Sequence, residues 1–179
     1  YAFKAAGAAA ERMMSLEEVA GVAQKALDNI RTMGVALSPC IVPQVGEPTF
    51  QIEDDEIEIG MGIHGEKGIE VRKMMTADEV AETLVGRITE DMPLAEGDEV
   101  SVLVNGLGAT PMEEQLIVYR RVHELLNDMG VKVVMPHVGE YATSMEMAGL
   151  SVTIFKLDEQ LKELLLSPAK TPFYTNLNK

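Results

Sequence analysis

Three helix starts, with apolar runs between them, limit this chain to an alternating α/β layout. Ser15 with Glu18 and Thr76 with Glu79 have capping-box spacing. In that motif the hydroxyl accepts from an orphan backbone N–H, and the glutamate reaches back to the cap. Thr110-Pro111 with Glu113 supplies a third start, with proline at the first helical position, where its missing N–H costs nothing. The first box predicts a helix to about Met33 that turns Val19, Val22, Ala23, Leu27 and Ile30 inward and stops at a left-handed Gly34. The second predicts a helix to about Thr89, and the third a helix to Met129 with Gly130 as its stop. Residues 1–10 read as a short helical lead, residues 143–148 as a short helix, and Asp158 as the cap of a last helix to about Leu166. Strands are predicted over residues 35–42, 49–52, 56–61, 99–104, 131–135 and 150–155. Pro39 makes the first an edge or an irregularity. In Glu56-Ile57-Glu58-Ile59, alternation of period 2 puts the glutamates in water and the isoleucines in the core. A hairpin over residues 49–61, turning at Glu53-Asp54-Asp55, makes the sheet mixed. The expectation is one α/β domain over residues 1–179, a mixed sheet with flanking helices.

Composition narrows the function. Asp and Glu number 29 against 15 Lys and Arg, a net charge of −14 that repels nucleic acid and anionic bilayers. No apolar run approaches the roughly 20 residues that span a membrane. Cys40 is the single cysteine, so an internal disulfide and a cysteine-rich zinc site are both excluded, which suits a reducing cytoplasm. With eight aromatic residues and 12 Met, the core falls to Val, Ile, Leu, Ala and Met.

Chemistry concentrates in Gly60-Met61-Gly62-Ile63-His64-Gly65-Glu66-Lys67-Gly68. Gly60, Gly62 and Gly65 match G-x-G-x-x-G, but a dinucleotide site also needs a helix opening in the loop, and Ile69-Glu70-Val71 reads as extended. The glycines then serve a sharp turn or a close approach. His64 sits among them, where an imidazole can act as base, ligand or nucleophile, or simply satisfy a turn. His123 falls on the solvent side of a helix, and His137 follows a strand and Pro136. No two histidines stand four apart, so no zinc site is expected. The acidic run from Glu53 to Glu58 lacks EF-hand spacing and reads as a solvated turn. Residues 105–110 form a strand-to-helix loop that either holds an anion or is a plain turn closed by a Thr110 cap. Cys40 reads as a packed thiol.

Several of these segments fall in register with one family. Glu58-Ile59-Gly60-Met61-Gly62-Ile63-His64-Gly65-Glu66 resembles the histidine segment of the dihydroxyacetone kinase substrate-binding (K) subunit. Met33-Gly34-Val35-Ala36-Leu37-Ser38-Pro39-Cys40, Gly46-Glu47-Pro48-Thr49-Phe50 and Val104-Asn105-Gly106-Leu107-Gly108-Ala109-Thr110-Pro111 match as well. So do Ile117-Val118-Tyr119-Arg120 and the run from Tyr141 to Gly149.

The resemblance implies that His64 adds through a ring nitrogen to the carbonyl carbon of dihydroxyacetone as a covalent hemiaminal, with Gly62 and Gly65 leaving room for the adduct. Such a bond rejects glycerol, which has no carbonyl, and orients the hydroxyl to be phosphorylated. Glu66 either orients the imidazole or stays solvated, and Tyr141 and Ser144 cap and pack.

Two departures accompany the match. Lys67 stands where the family usually has proline. The Gly-Gly-Gly-Ser-Gly-His-Glu segment and acid/base aspartate of the family's preceding domain have no counterpart here. The chain thus resembles the C-terminal half alone.

Neither a metal nor a cofactor is expected in this chain, and the expected phosphoryl donor is an ADP-carrying L-type partner subunit, or ATP. The expected partners are dihydroxyacetone, the protein's own N-terminal domain, that L-type subunit and a second copy as homodimer. The ending after Pro168-Ala169-Lys170-Thr171-Pro172 favours the phosphotransferase-linked type. The alternatives are a non-enzymatic dihydroxyacetone sensor or transcriptional coactivator on the same domain, and a structural or dimerisation domain in which His64 is idle.

Overall fold

The structure, a computed structural model, describes residues 1–63 and 66–177. Among them, six strands form one mixed sheet in the order β3-β2-β1-β6-β4-β5. These are β1 (Ile30–Ala36), β2 (Glu56–Ile59), β3 (Glu70–Lys73), β4 (Glu99–Gly106), β5 (Lys132–Gly139) and β6 (Gly149–Leu157). Only β4 and β5 run parallel; the other neighbours are antiparallel. Helices α3 (Ala77–Asp91) and α4 (Met112–Asp128) cover one face, where Leu84, Ile88 and Val122 meet Ile57, Val102, Val104, Val152 and Ile154. On the other face α1 (Ala2–Glu11), α2 (Leu16–Asp28) and α5 (Glu159–Leu166) close over Phe155 and Leu157. Period-2 alternation sorts β6 between these layers, with Val152 and Ile154 on one side and Thr153, Phe155 and Leu157 on the other. A short hairpin, β7 (Ala169–Lys170) with β8 (Thr175–Asn176), ends the described chain.

Local signals placed most helices. Both capping boxes form, Asp158 accepts from the Leu161 N–H, and Gly130 takes φ +72°. Long-range pairing overrode the pattern elsewhere. Helix α2 stops at Asp28 rather than Met33, because residues 30 to 36 pair along β6, from Ile30 opposite Phe155 to Ala36 opposite Gly149. Gly34 is therefore a strand residue and not a helix stop. A Cβ on it would come 2.8 Å from the Met61 carbonyl oxygen, so glycine permits the chain leaving β2 to cross close by. Leu27 is exposed, and Pro39 lies beyond the strand. Residues 49–52 are irregular, so the hairpin partner of β2 is β3 and the connection is the glycine-rich loop, not the acidic turn. Residues 143–148 are not helical, because their backbone is spent on the β4–α4 loop: the Ser144 N–H donates to the Leu107 carbonyl and the Ala109 N–H to that of Met147. Pro111 is the N-cap of α4, not its first residue, and makes no side-chain cap. Strand β5 extends through Pro136 and His137, which its edge position tolerates.

Candidate functional site

Four loops converge beside the carboxyl ends of β1 and β4 and the start of β6, over a small sulfur-rich cluster of Ala36, Cys40, Met61, Leu107 and Met147. Phe50 and Ile63 pack on this floor. The loop between β2 and β3 rises from it, and among the described residues three backbone N–H groups tie its two arms together. The Ile69 N–H donates to the Ile59 carbonyl (2.8 Å), the Gly68 N–H to Glu58 Oε1 (2.7 Å), and the Gly62 N–H to the Glu66 carbonyl (3.2 Å). Gly60 and Gly68 are required at this neck, the first by its φ and the second by the Ile59 carbonyl oxygen 2.6 Å from where its Cβ would sit. Gly60 has φ +84°, and a Cβ on it would sit 2.5 Å from Ile69 Cγ1. A Cβ on Gly68 would sit 2.6 Å from the Glu58 side chain, and one on Gly62 would overlap the Glu66 carboxylate, so Glu66 folds back over Gly62.

His64 and Gly65 lie outside the described residues; of their flanks, Ile63 packs on the cluster. Among the described residues no helix opens between Gly62 and β3, so the glycine pattern here serves a hairpin connection and not a dinucleotide turn.

Glu58 corrects the alternation argument. It is 4% exposed, not solvated, and its carboxylate spans the loop neck. Period 2 assigns it to the opposite face from Ile57 and Ile59, and the β2–β3 loop folds over that face and buries it. Nothing in the sequence marks it, because the glycine it holds is ten residues away. The rest of the acidic run is solvated: Asp55 and Glu56 pair with Lys73, which raises the Lys73 pKa through those hydrogen bonds. At the base of the loop, Glu70 takes hydrogen bonds from Arg72 and Arg87, and these hold its carboxyl below the usual range.

The neighbouring loops are latched by side chains. Asn105, almost fully buried, accepts from the Tyr141 and Ala142 N–H groups and donates to the Ala142 carbonyl, each at 2.8 Å. Thr110 Oγ1 donates to the Gly149 carbonyl (2.7 Å) and accepts from its N–H (2.8 Å). Thr110 therefore latches β6 instead of capping α4, which corrects the plain-turn expectation. Gly108 has φ +131°, and a Cβ there would overlap the Met145 carbonyl oxygen. Cys40 is buried, with Sγ 3.5 Å from Ser144 Oγ and 3.7 Å from Thr49 Oγ1, a packed thiol as expected. Ser144 packs here, and the ring of Tyr141 stands apart, edge-on to His137.

The other two histidines are separate. His123 is exposed on α4. His137 lies in β5 rather than in a loop, four strands away from β2, with Nδ1 3.3 Å from the Tyr1 hydroxyl and Nε2 3.1 Å from that of Tyr174. Burial lowers its pKa, which favours the neutral ring. No group of three or more His, Cys, Asp or Glu among the described residues is arranged to hold a metal ion.

Comparison with known proteins places the whole arrangement. The Dak1 domain family matches residues 1–173. The dihydroxyacetone-binding subunit DhaK of a PTS-dependent dihydroxyacetone kinase from Listeria innocua is 51% identical over 169 residues, covering 94% of this chain and 51% of that protein. The solved dihydroxyacetone kinase operon co-activator Dha-DhaQ superposes with TM-score 0.86 at 32% identity, over 93% of this chain and 52% of that one. The dihydroxyacetone kinase of C. freundii gives TM-score 0.81 at 30% identity, over 93% of this chain and 30% of that one. The chain thus spans about half the length of the curated DhaK subunits it matches.

Proposed function

The chain belongs to the Dak1 domain family, and on that premise we propose that it is the carbonyl-capturing part of a dihydroxyacetone kinase, with His64 as the covalent anchor. The observation that carries this reading is the 51% identity to a dihydroxyacetone-binding subunit over nearly the whole chain. The neck around the histidine loop supports it. The three ties, with Gly60 at positive φ and Gly68 against the Ile59 carbonyl oxygen, fix where the two arms of the loop leave the sheet.

In the proposed step the lone pair of a neutral imidazole nitrogen adds to the ketone carbon. The carbonyl π pair moves to oxygen, which takes up a proton, and the other ring nitrogen releases one. The product keeps every atom of the ketose. Glycerol, with no electrophilic carbon, is excluded by chemistry instead of by fit. Glu66, folded over Gly62, orients the ring. The bond holds the substrate's hydroxyl still for a phosphoryl donor carried by a separate ADP-bearing subunit or by ATP, with the remaining contacts and the acid/base group supplied by the protein's other half. The net charge of −14 suits docking to a basic face of the donor subunit, and a second copy completes a homodimer.

Native intact-mass spectrometry tests the anchor. Dihydroxyacetone is expected to add one intact ketose with no water lost. Glycerol is expected to add nothing, and His64→Ala to abolish the adduct. Retention of the adduct in His64→Ala refutes the assignment.

The likeness to the co-activator favours a second reading, in which the same capture signals to a regulator and no phosphate is transferred. Adding the complementary half and a phosphoryl donor separates them: turnover supports the kinase, and capture without turnover supports the sensor.

A further inference from the structure

The chain has few aromatic residues, and it gathers most of them in one place. Five of its eight aromatic side chains, Tyr1, Phe3, Tyr141, Phe173 and Tyr174, line a cavity of about 740 Å³ together with His137. The cavity lies between α1, the C-terminal half of β5 and the β7–β8 hairpin, on the edge of the sheet opposite the histidine loop. Its size falls within the roughly 300–1,000 Å³ of small-molecule sites. The rings form a connected wall, with His137 5.6 Å from Tyr1, 5.9 Å from Tyr141 and 5.8 Å from Tyr174, and Tyr141 6.0 Å from Phe173. The polar atoms inside already serve one another. His137 meets the hydroxyls of Tyr1 and Tyr174, and Ser101 donates to the Tyr1 hydroxyl at 2.9 Å. The interior therefore asks for ring faces and edges from an occupant and not for hydrogen bonds. Phe3 and Phe173 are nevertheless 95% and 69% exposed, so the apolar lining is unfilled at its mouth.

Charge at the mouth runs against that of the chain. Lys4 and Lys170 line it, with Glu11 as the opposing carboxylate. Every arginine of this acidic protein is ion-paired, as are Lys25, Lys73, Lys132, Lys156 and Lys162. Lys4 and Lys170 have no acidic partner among the described residues; Lys4 donates only to the Leu164 carbonyl, at 2.8 Å. Burial lowers the Lys4 pKa, a penalty that an anion beside it relieves.

We propose that this cavity is a binding site for a small aromatic anion, its flat body against the Tyr and Phe rings and its carboxylate, sulfonate or phosphate head between Lys4 and Lys170. The site is independent of the histidine loop and shares none of its residues.

The probe is anilinonaphthalene sulfonate, titrated by fluorescence and calorimetry, with neutral phenylnaphthylamine as control. Saturable one-to-one binding with an unchanged near-ultraviolet spectrum is expected. Phe173→Ala, which truncates an exposed ring and leaves the core intact, should weaken it about tenfold. Lys4→Gln with Lys170→Gln should weaken it about fivefold at low salt, and added salt should erase that difference. Binding indifferent to both sets of substitutions, or equally tight for the neutral probe, overturns the proposal. So does binding that vanishes when the chain is tested within the longer protein, which would make the cavity a seam between halves.

Discussion

Replacing Glu58 with leucine should loosen the histidine loop without unfolding the domain. The carboxylate is buried at 4% exposure and accepts from the Gly68 N–H at 2.7 Å. A hydrogen bond to a charged group contributes about 1.5–3 kcal/mol, and leaving its donor without a partner forfeits that. Burying the charge has its own desolvation cost, which leucine removes, so the two terms oppose each other in global stability. They do not oppose each other at the neck, where only the lost tie acts. About 2 kcal/mol of local opening corresponds to roughly 30-fold faster amide exchange at Gly68. Glu58→Gln keeps a neutral acceptor and should give only a few-fold change. The assay is amide hydrogen exchange read residue by residue, beside urea denaturation of the same variants. The Leu variant is expected to hold its urea midpoint to within about 1 kcal/mol in stability while Gly68 exchanges faster. Unchanged exchange at Gly68, or faster exchange spread evenly over β2 and β3, would refute the clamp. If His64 captures the ketose, carbonyl adduct formation should fall in the Leu variant and recover largely in the Gln variant.

Thr110→Val strips the Gly149 N–H of its acceptor in a buried site, so it should destabilise by about 2 kcal/mol and lower Tm by roughly 4–8 °C, whereas Thr110→Ser stays close to the parent in calorimetry. Gly108→Ala forces a Cβ onto the Met145 carbonyl oxygen at positive φ and should cost more than about 2 kcal/mol, read as a shifted urea midpoint. The Lys156 hydrogen bond, and next the Ala95 N–H, hold the Asp98 carboxyl below its ordinary value of 3.8. Its stabilisation is therefore present above that value and is lost as pH falls through the depressed folded pKa. Asp98→Asn should lower stability at pH 7 and flatten the loss of stability below about pH 4 in acid titrations followed by circular dichroism.

The elements that sequence alone located are those closed within a few residues. The Ser15–Glu18 and Thr76–Glu79 boxes, the Asp158 cap and the Gly130 stop form where their spacing puts them, because donor and acceptor are three or four positions apart. The histidine motif was legible for a different reason: its residues stand in one short run whose resemblance to a family is specific, and the family match over residues 1–173 agrees with it. The cavity wall was not legible, since Tyr1, Tyr141 and Tyr174 come from the two ends of the described chain and one loop.

What sequence alone determined, then, is the class of the fold, most of its helix starts and the family to which the chain belongs. Tertiary structure decided where α2 yields to β1, which strand pairs with β2, and that Thr110 and Glu58 face inward as latches. Each of those outcomes rests on partners far apart in the chain: Ile30 on Phe155, Thr110 on Gly149. A residue's preference for helix or water is worth a fraction of a kcal/mol to about 1 kcal/mol, and a full row of strand pairs or a buried latch outweighs it.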